Sequence, residues 1–291
     1  MNQTSGDAAL CRALLDYGTY PIDDPDHGAR RAAVERCRRS LAEDGCAVIK
    51  GFLSENGLGR LLKEAVERKP KAYFSSNKAT NVYFSDDDPS LPRHHPRRIF
   101  LERSNGFVSS DNFGEETASR RLYRWPALTR FIADCLGKDR LYVYDDPVSN
   151  MIVNVGRPGT CFNWHFDTNE FTITMLLNAA ESGGCFEYVP NVRSVDDECY
   201  ADVRKVLEGD TSRVIRLDLQ PGDLQLFLGR FSLHRVTENT GSTDRLLLIM
   251  SYAERPGMIG SLHRTKELYG KVTPAHIRAE RNRVRNDGLM D

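Results

Sequence analysis

A chain of 291 residues, 40% hydrophobic and 28% charged, holds enough apolar material for a large buried core and is neither a disordered nor a low-complexity polymer. Forty basic against 41 acidic side chains leave a net charge of −1, so no global field draws in nucleic acid or an anionic membrane, and no apolar run approaches the length of a membrane span. The seven cysteines (Cys11, Cys37, Cys46, Cys135, Cys161, Cys185 and Cys199) are odd in number and form no Cys-x-x-Cys, which argues against a disulfide framework or structural zinc and, with no basic-then-apolar leader, for a cytoplasmic protein.

Residues 1–27 are weakly patterned and acidic at Asp23, Asp24 and Asp26, which predicts a segment that wraps the surface or is partly mobile. Helical periodicity follows over 29–41, with Ala33, Val34, Cys37 and Leu41 on one stripe, and 46–50 reads as a short strand. Ser54 is placed to cap a helix to about Glu67 that buries Leu58, Leu61, Leu62 and Val66. Residues 73–113 are irregular, with turns at Asp86–Pro89 and Leu91-Pro92 and a candidate strand at 99–101, while Pro126 opens a helix to Leu136. Past Gly137 the pattern becomes strands, near 141–145, 149–155, 162–166, 170–177, 184–189, 213–219, 223–229, 233–237 and 245–252. One helix interrupts them, expected to be capped by Ser194 and stopped by Gly209; beyond Glu254 come turns and a charged helix over 274–286, packed outside the strands. Many short strands divided by turns predict a closed or double-sheet antiparallel architecture.

The most informative stretch runs from Cys161 to Leu177. In an extended strand residues i and i+2 share a face, so His165 and Asp167 aim an imidazole nitrogen and a carboxylate oxygen at a common point. These are two legs of a 2-His-1-carboxylate facial triad, and His234, after the turn Gln220–Asp223 and the strand Leu224–Leu228, offers the third. Further on, Arg245 opens the apolar run Leu246–Met250. His94, His95, His263 and His276 lack partners at ligand spacing and read as surface residues; Cys161 and Cys185 read as small buried side chains near the metal.

With these residues in place, roughly 140–255 resembles the Fe(II)/2-oxoglutarate-dependent oxygenases. The run Gly183–Pro190, together with Gly222-Asp223 through His234, narrows the resemblance to the branch that holds free amino-acid hydroxylases and radical halogenases. The resemblance implies a mainly β fold with flanking helices around a double-stranded β-helix (jelly-roll, cupin-like) core. Residues 138–256 would be the catalytic core, 1–137 a helical and loop region packed on it, and 257–291 an extension, all one structural domain. It also implies Fe(II) held by His165, Asp167 and His234, with 2-oxoglutarate and O₂ as cosubstrates. Arg245 would then hold the distal carboxylate, a task suited to a planar guanidinium.

Asn150, Ile152 and Asn154 share a strand face, and the two amides suit hydrogen bonds to cosubstrate or substrate. Thr168, Asn169 and Glu170 would line the substrate entrance, with Glu170 available to an ammonium, and Ser251 falls on the face of Arg245. In the halogenating members of the branch, Gly or Ala replaces the carboxylate and chloride takes its site. Asp167 therefore implies a hydroxylase, with desaturation or cyclisation open to the same iron. The expected substrate is a small polar metabolite, a free amino acid or derivative, with no nucleic-acid or membrane partner; the oligomeric state is left open. Two other readings are a cupin-type metalloenzyme that works without 2-oxoglutarate and a non-catalytic β-barrel binding module.

Overall fold

The computed structural model describes residues 2–281 and Leu289. The chain opens with α1 (Asn2–Leu14), α2 (Gly28–Asp44), β1 (Cys46–Ile49) and α3 (Glu55–Arg68). Four short strands then thread an irregular stretch: β2 (Tyr73–Phe74), β3 (Ala79–Thr80), β4 (Leu101–Glu102) and β5 (Gly106–Val108). After α4 (Ala118–Tyr123) and α5 (Pro126–Leu136) come β6 (Tyr142–Val143), β7 (Met151–Gly156), β8 (Phe162–His165), β9 (Thr172–Asn178) and β10 (Phe186–Val189). Then follow α6 (Tyr200–Leu207), β11 (Ile215–Leu217), β12 (Leu224–Phe227), β13 (Leu233–Val236), β14 (Arg245–Met250) and β15 (Tyr252–Ala253). The chain finishes with α7 (Leu262–Tyr269) and α8 (Pro274–Arg281). Among the described residues, no helix is long and apolar enough to cross a membrane.

Two antiparallel sheets carry the architecture. Seven strands lie in the order β1-β12-β9-β14-β7-β5-β2, and four in the order β11-β10-β13-β8. This is the double-stranded β-helix with flanking helices that the sequence leads one to expect. Alternation explains the long apolar runs of the larger sheet. Val153, Val155, Ile173, Met175, Leu224, Leu226, Leu246 and Leu248 face outward into one core shared with the helices. Ile152, Asn154, Thr172, Thr174, Gln225, Leu247 and Ile249 face inward and line a cavity between the sheets. The outer face thus anchors the helices and the inner face is free to carry hydrogen-bonding groups.

The helix stripes behave as their periodicity requires. Ala33, Val34, Cys37 and Leu41 are buried, as are Leu128, Phe131, Ile132 and Cys135. Ser54 Oγ accepts from Gly57 N at 3.0 Å and caps α3, whose Val66 nonetheless points outward at 48% exposure.

Other expectations need correction. The N-terminal stretch carries α1, which docks through Cys11 and Leu14; a fully buried Leu contributes about 1.5–3 kcal/mol, enough to hold a helix that sequence patterning alone does not mark. The helix expected from Ser194 starts only at Tyr200, because Cys199 is left-handed and Glu198 turns inward to pair with the buried Arg193 at 2.9 Å. Of the helix expected over 274–286, α8 covers 274–281 and the remainder lies outside the described residues.

Helices α1 and α3 approach closely at Gly57, where an added Cβ would fall 1.9 Å from the Leu14 carbonyl oxygen, whereas a Cβ on Gly59 would meet nothing within 4 Å. Gly57→Ala should therefore destabilise the protein by about 1–3 kcal/mol through overpacking. Gly59→Ala, in the same helix, should stabilise it by about 0.5–1 kcal/mol. Thermal denaturation of the two variants checks the pair, and equal shifts would contradict the packing described here.

Candidate metal centre

Pairing of β8 with β13 sets His165 opposite His234, with ring centroids 4.1 Å apart. The register slips between this pair and Phe162↔Val236, so β8 carries an extra residue and Phe162 returns to the face of His165, stacked on it at 3.7 Å. Asp167 follows two residues after His165, and its Oδ1 lies 3.5 Å from His234 Nε2. Ligand atoms of His165, Asp167 and His234 all fall within 4.8 Å of one another.

The surroundings decide which atoms face the centre. His165 Nδ1 lies 2.7 Å from the Asn163 carbonyl oxygen and His234 Nδ1 lies 3.0 Å from that of Ser232. A carbonyl only accepts, so both Nδ1 atoms carry the proton and both Nε2 lone pairs are left for a metal. Asp167 Oδ2 accepts from Thr172 Oγ1 at 2.7 Å, and Asp167 N donates to the Gly229 carbonyl at 3.0 Å. Gly229 is the seat of this carboxylate: a Cβ there would lie 2.1 Å from Asp167 Oδ2.

Protonation states follow. Burial, reinforced by His234, drives the His165 imidazole well below its usual range. Burial alone would push the Asp167 carboxyl up, but the two imidazoles beside it, His234 foremost, and the hydrogen bond from Thr172 outweigh burial and hold it low. Neutral His165 and ionised Asp167 are ready to ligate a divalent cation, and the N₂O donor set on one face suits Fe(II).

The inter-sheet cavity beside the triad measures about 180 Å³. Asn154, Thr168, Asn169 and Ser251 line it together with His165, Asp167 and His234. Two other candidates lie elsewhere. Glu170 is turned to the rim and pairs with Lys138 at 2.9 Å, a partially exposed contact worth about 0–1 kcal/mol. Asn150 sits just before β7, where its Oδ1 accepts from Arg120 Nη1 at 2.9 Å and from Ser110 Oγ.

Arg245 is 3% exposed and opens β14 opposite Gly156. Its Nη1 has no hydrogen-bond partner, and burial pulls its guanidinium down to about 10. It lines a small cavity next to the main one; Asn154, Phe162 and Val236 border both. A buried cation with an orphaned donor, one step from a metal site, fits the distal carboxylate of a chelating dicarboxylate.

Other cavity residues carry no signal in the sequence. Helix α7, in a stretch read as turns, forms one wall through Arg264, Thr265, Leu268 and Tyr269. Arg264 donates to the Phe166 carbonyl at 2.7 Å and to Thr168 Oγ1 at 2.5 Å, and lies 4.1 Å over the Phe84 ring. His276, expected on the surface, is 0% exposed. Its Nδ1 accepts from Thr273 N at 3.0 Å, so Nε2 carries the proton toward Asp146 Oδ2 at 3.0 Å. Asp146 also accepts from Val148, Ser149 and Gly260 backbone N–H groups, which ties α8 and the approach to α7 onto the loop before β7. Cys161 and Cys185 are half-buried, and Cys185 Sγ accepts from Arg216 Nη2 at 2.6 Å.

A family model described as Halogenase D matches residues 102–269. Among curated proteins, none matches the sequence. Among solved structures, the non-haem α-ketoglutarate-dependent epimerase SnoN from nogalamycin biosynthesis is 17% identical, with a TM-score of 0.52 over 77% of this chain and 83% of its own. A 2OG-Fe(II) oxygenase family oxidoreductase from Burkholderia pseudomallei is 13% identical, with a TM-score of 0.52 over 76% and 91%. A prolyl hydroxylase from Trichoplax adhaerens, solved with a hypoxia inducible factor peptide fragment, is 16% identical, with a TM-score of 0.51 over 77% and 90%. At these identities the likeness is one of fold.

The seat of Asp167 yields a test by iron titration. Thr172→Val should weaken Fe(II) binding about 10–100-fold, the usual effect of removing a group that orients a ligand. Gly229→Ala, which displaces the carboxylate itself, should do so more severely while the protein stays folded. Unchanged iron stoichiometry in both variants would show that Asp167 is not held as described.

Proposed function

The chain belongs to the Halogenase D family, and from that premise we propose that it is an Fe(II)- and 2-oxoglutarate-dependent oxygenase that hydroxylates a small molecule. Asp167 carries this reading. Its carboxylate stands where a halogenating relative would hold chloride, one oxygen fixed by Thr172 and the other turned toward His234. Gly229 gives it room.

When bound, Fe(II) with 2-oxoglutarate and O₂ supplies the oxidising power for C–H cleavage, with succinate and CO₂ as the cosubstrate's products. The chain's own residues do the rest. His165, Asp167 and His234 bind the metal on one face, and Arg245 takes the distal carboxylate. Phe107, Phe162, Leu247 and Ile249 keep water from the reacting carbon. With Fe(II) and 2-oxoglutarate bound, Asp167 would fill the ligand position that a halogenating relative leaves to chloride, so the protein would offer a halide no vacated position. A metalloenzyme without 2-oxoglutarate would have no use for the orphaned, buried Arg245.

The proposed substrate is a free amino acid or a similarly small polar metabolite. A cavity of about 180 Å³ is smaller than the roughly 300–1,000 Å³ typical of drug-sized ligands. Ser149, Asn154, Thr174, Gln225 and Ser251 supply hydrogen-bonding groups among apolar neighbours. Glu170 is spent on Lys138, so an ammonium group would be met by neutral acceptors of this lining. A cytoplasmic setting is proposed on the strength of seven scattered cysteines, none of them in a disulfide.

Two measurements test the reading. Arg245→Gln should cost about 2–5 kcal/mol of 2-oxoglutarate affinity, as expected for breaking a desolvated charge pair, and leave iron binding nearly intact; an unchanged cosubstrate dependence would move the role to another residue. A panel of free amino acids and related metabolites, scored for substrate-stimulated succinate, should give an oxygenated product in excess chloride. A dominant chlorine isotope pattern in the product would overturn the assignment of Asp167 as a ligand.

A further inference from the structure

Asn105 lies in the turn before β5, where its backbone N donates to the Cys161 carbonyl at 3.2 Å. It is 3% exposed, and neither Nδ2 nor Oδ1 of its side chain has a hydrogen-bond partner. Buried amides are satisfied in almost every native protein, so a side chain with both ends open marks a place built for something else. Asn105 and Arg245, each with polar atoms left unpartnered, line the same small cavity. Asn154 on β7, one position from the Gly156↔Arg245 pair along the alternating face, adds to its polar lining, as do Thr160, Thr237 and Asn239. The space between them, about 10 Å³, is close to what a single water needs.

We propose that Asn105 is a second recognition residue for the cosubstrate carboxylate, acting beside Arg245 as its neutral polar partner, directly or through one trapped water. The inference rests on the reading of Arg245 given above and extends it to a residue from a different part of the chain. The chemistry explains why an amide occupies this position. Nδ2–H adds a donor for an anion, while Oδ1 accepts from a guanidinium or water hydrogen and so orients the donor array. A carboxylate in the same place would be a permanent counter-ion for Arg245 and would compete with the ligand. An aliphatic residue would offer the carboxylate no donor on this side. Asn105 thus adds a neutral donor beside Arg245 without cancelling its charge.

The test uses the full-length protein loaded with Fe(II) under anaerobic conditions and titrated with 2-oxoglutarate, read by the weak visible absorption of the chelate. Asn105→Ala should raise the apparent Kd about tenfold, the size expected for one hydrogen bond to a charged group. Asn105→Asp, nearly isosteric, should raise it about a hundredfold or more, because it presents like charge to the incoming carboxylate. The metal-free Asn105→Asp protein should melt no lower than Asn105→Ala, since the new carboxylate pairs with Arg245; a merely structural amide would give the opposite order. Iron stoichiometry should match the wild type in both variants. Titrations that overlay the wild type, or affinity lost only together with iron, would overturn the role of Asn105. A wild type that shows no 2-oxoglutarate response at all would instead sink the reading of Arg245, and Asn105 with it.

Discussion

The register between β8 and β13 is the constraint on which the rest of this molecule depends. It sets two imidazoles opposite one another across a strand pair, and a slip of one residue would turn one of them away from the cavity. The extra residue in β8 tightens that local geometry, since it brings Phe162 back under His165 and limits the ring's rotation. Carbonyls at Asn163 and Ser232 then fix which nitrogen of each ring is free. The smaller sheet thus holds both histidines, while the larger sheet, through Thr172 on β9, disciplines the carboxylate. Separation of the two sheets, set by their inner side chains, is what lets three ligands meet.

Such a centre is costly to build. It gathers a half-buried carboxylate, two buried imidazoles and the buried Arg245 guanidinium in one region, each of which would prefer water. The outer face of the larger sheet offsets this by packing against α1, α2, α3 and α5 in a single apolar cluster. Helices α1, α2, α3 and α5 therefore lie on the outer face of the larger sheet and the cavity on its inner face: one face holds the fold together and the other is released for chemistry.

Much of this organisation is legible in the chain because it rests on local periodicity. His165 and Asp167 are paired by strand alternation, and the strands themselves are marked by apolar runs between turns. Helices α2 and α5 are visible in their stripes. What escapes is whatever depends on a remote neighbour. Glu170 has the residue type of a substrate contact, but Lys138 lies within reach and takes it. Asn150 shares the phase of Asn154, yet it stands past the strand's end, where Arg120 captures it. Gly229 is an ordinary glycine until Asp167 is placed against it, and α7 is an ordinary charged amphipathic helix until tertiary packing lays it on the cavity. The His276–Asp146 pair joins residues too far apart for any spacing rule to connect.

Arg264 gives the placement of α7 a mechanical meaning. It belongs to the wall that an occupant of the cavity would touch, and it grips the main chain at Phe166 and the side chain of Thr168, on either side of Asp167. Pressure on the wall would therefore reach the segment that carries Asp167, one of the three side chains placed to hold a metal. By thermodynamic reciprocity, whatever occupant sits better when the metal is in place must in turn hold that metal more tightly. Retention of a metal and selection of the occupant would then be two readings of one coupling free energy, with the Arg264 guanidinium on one of its routes.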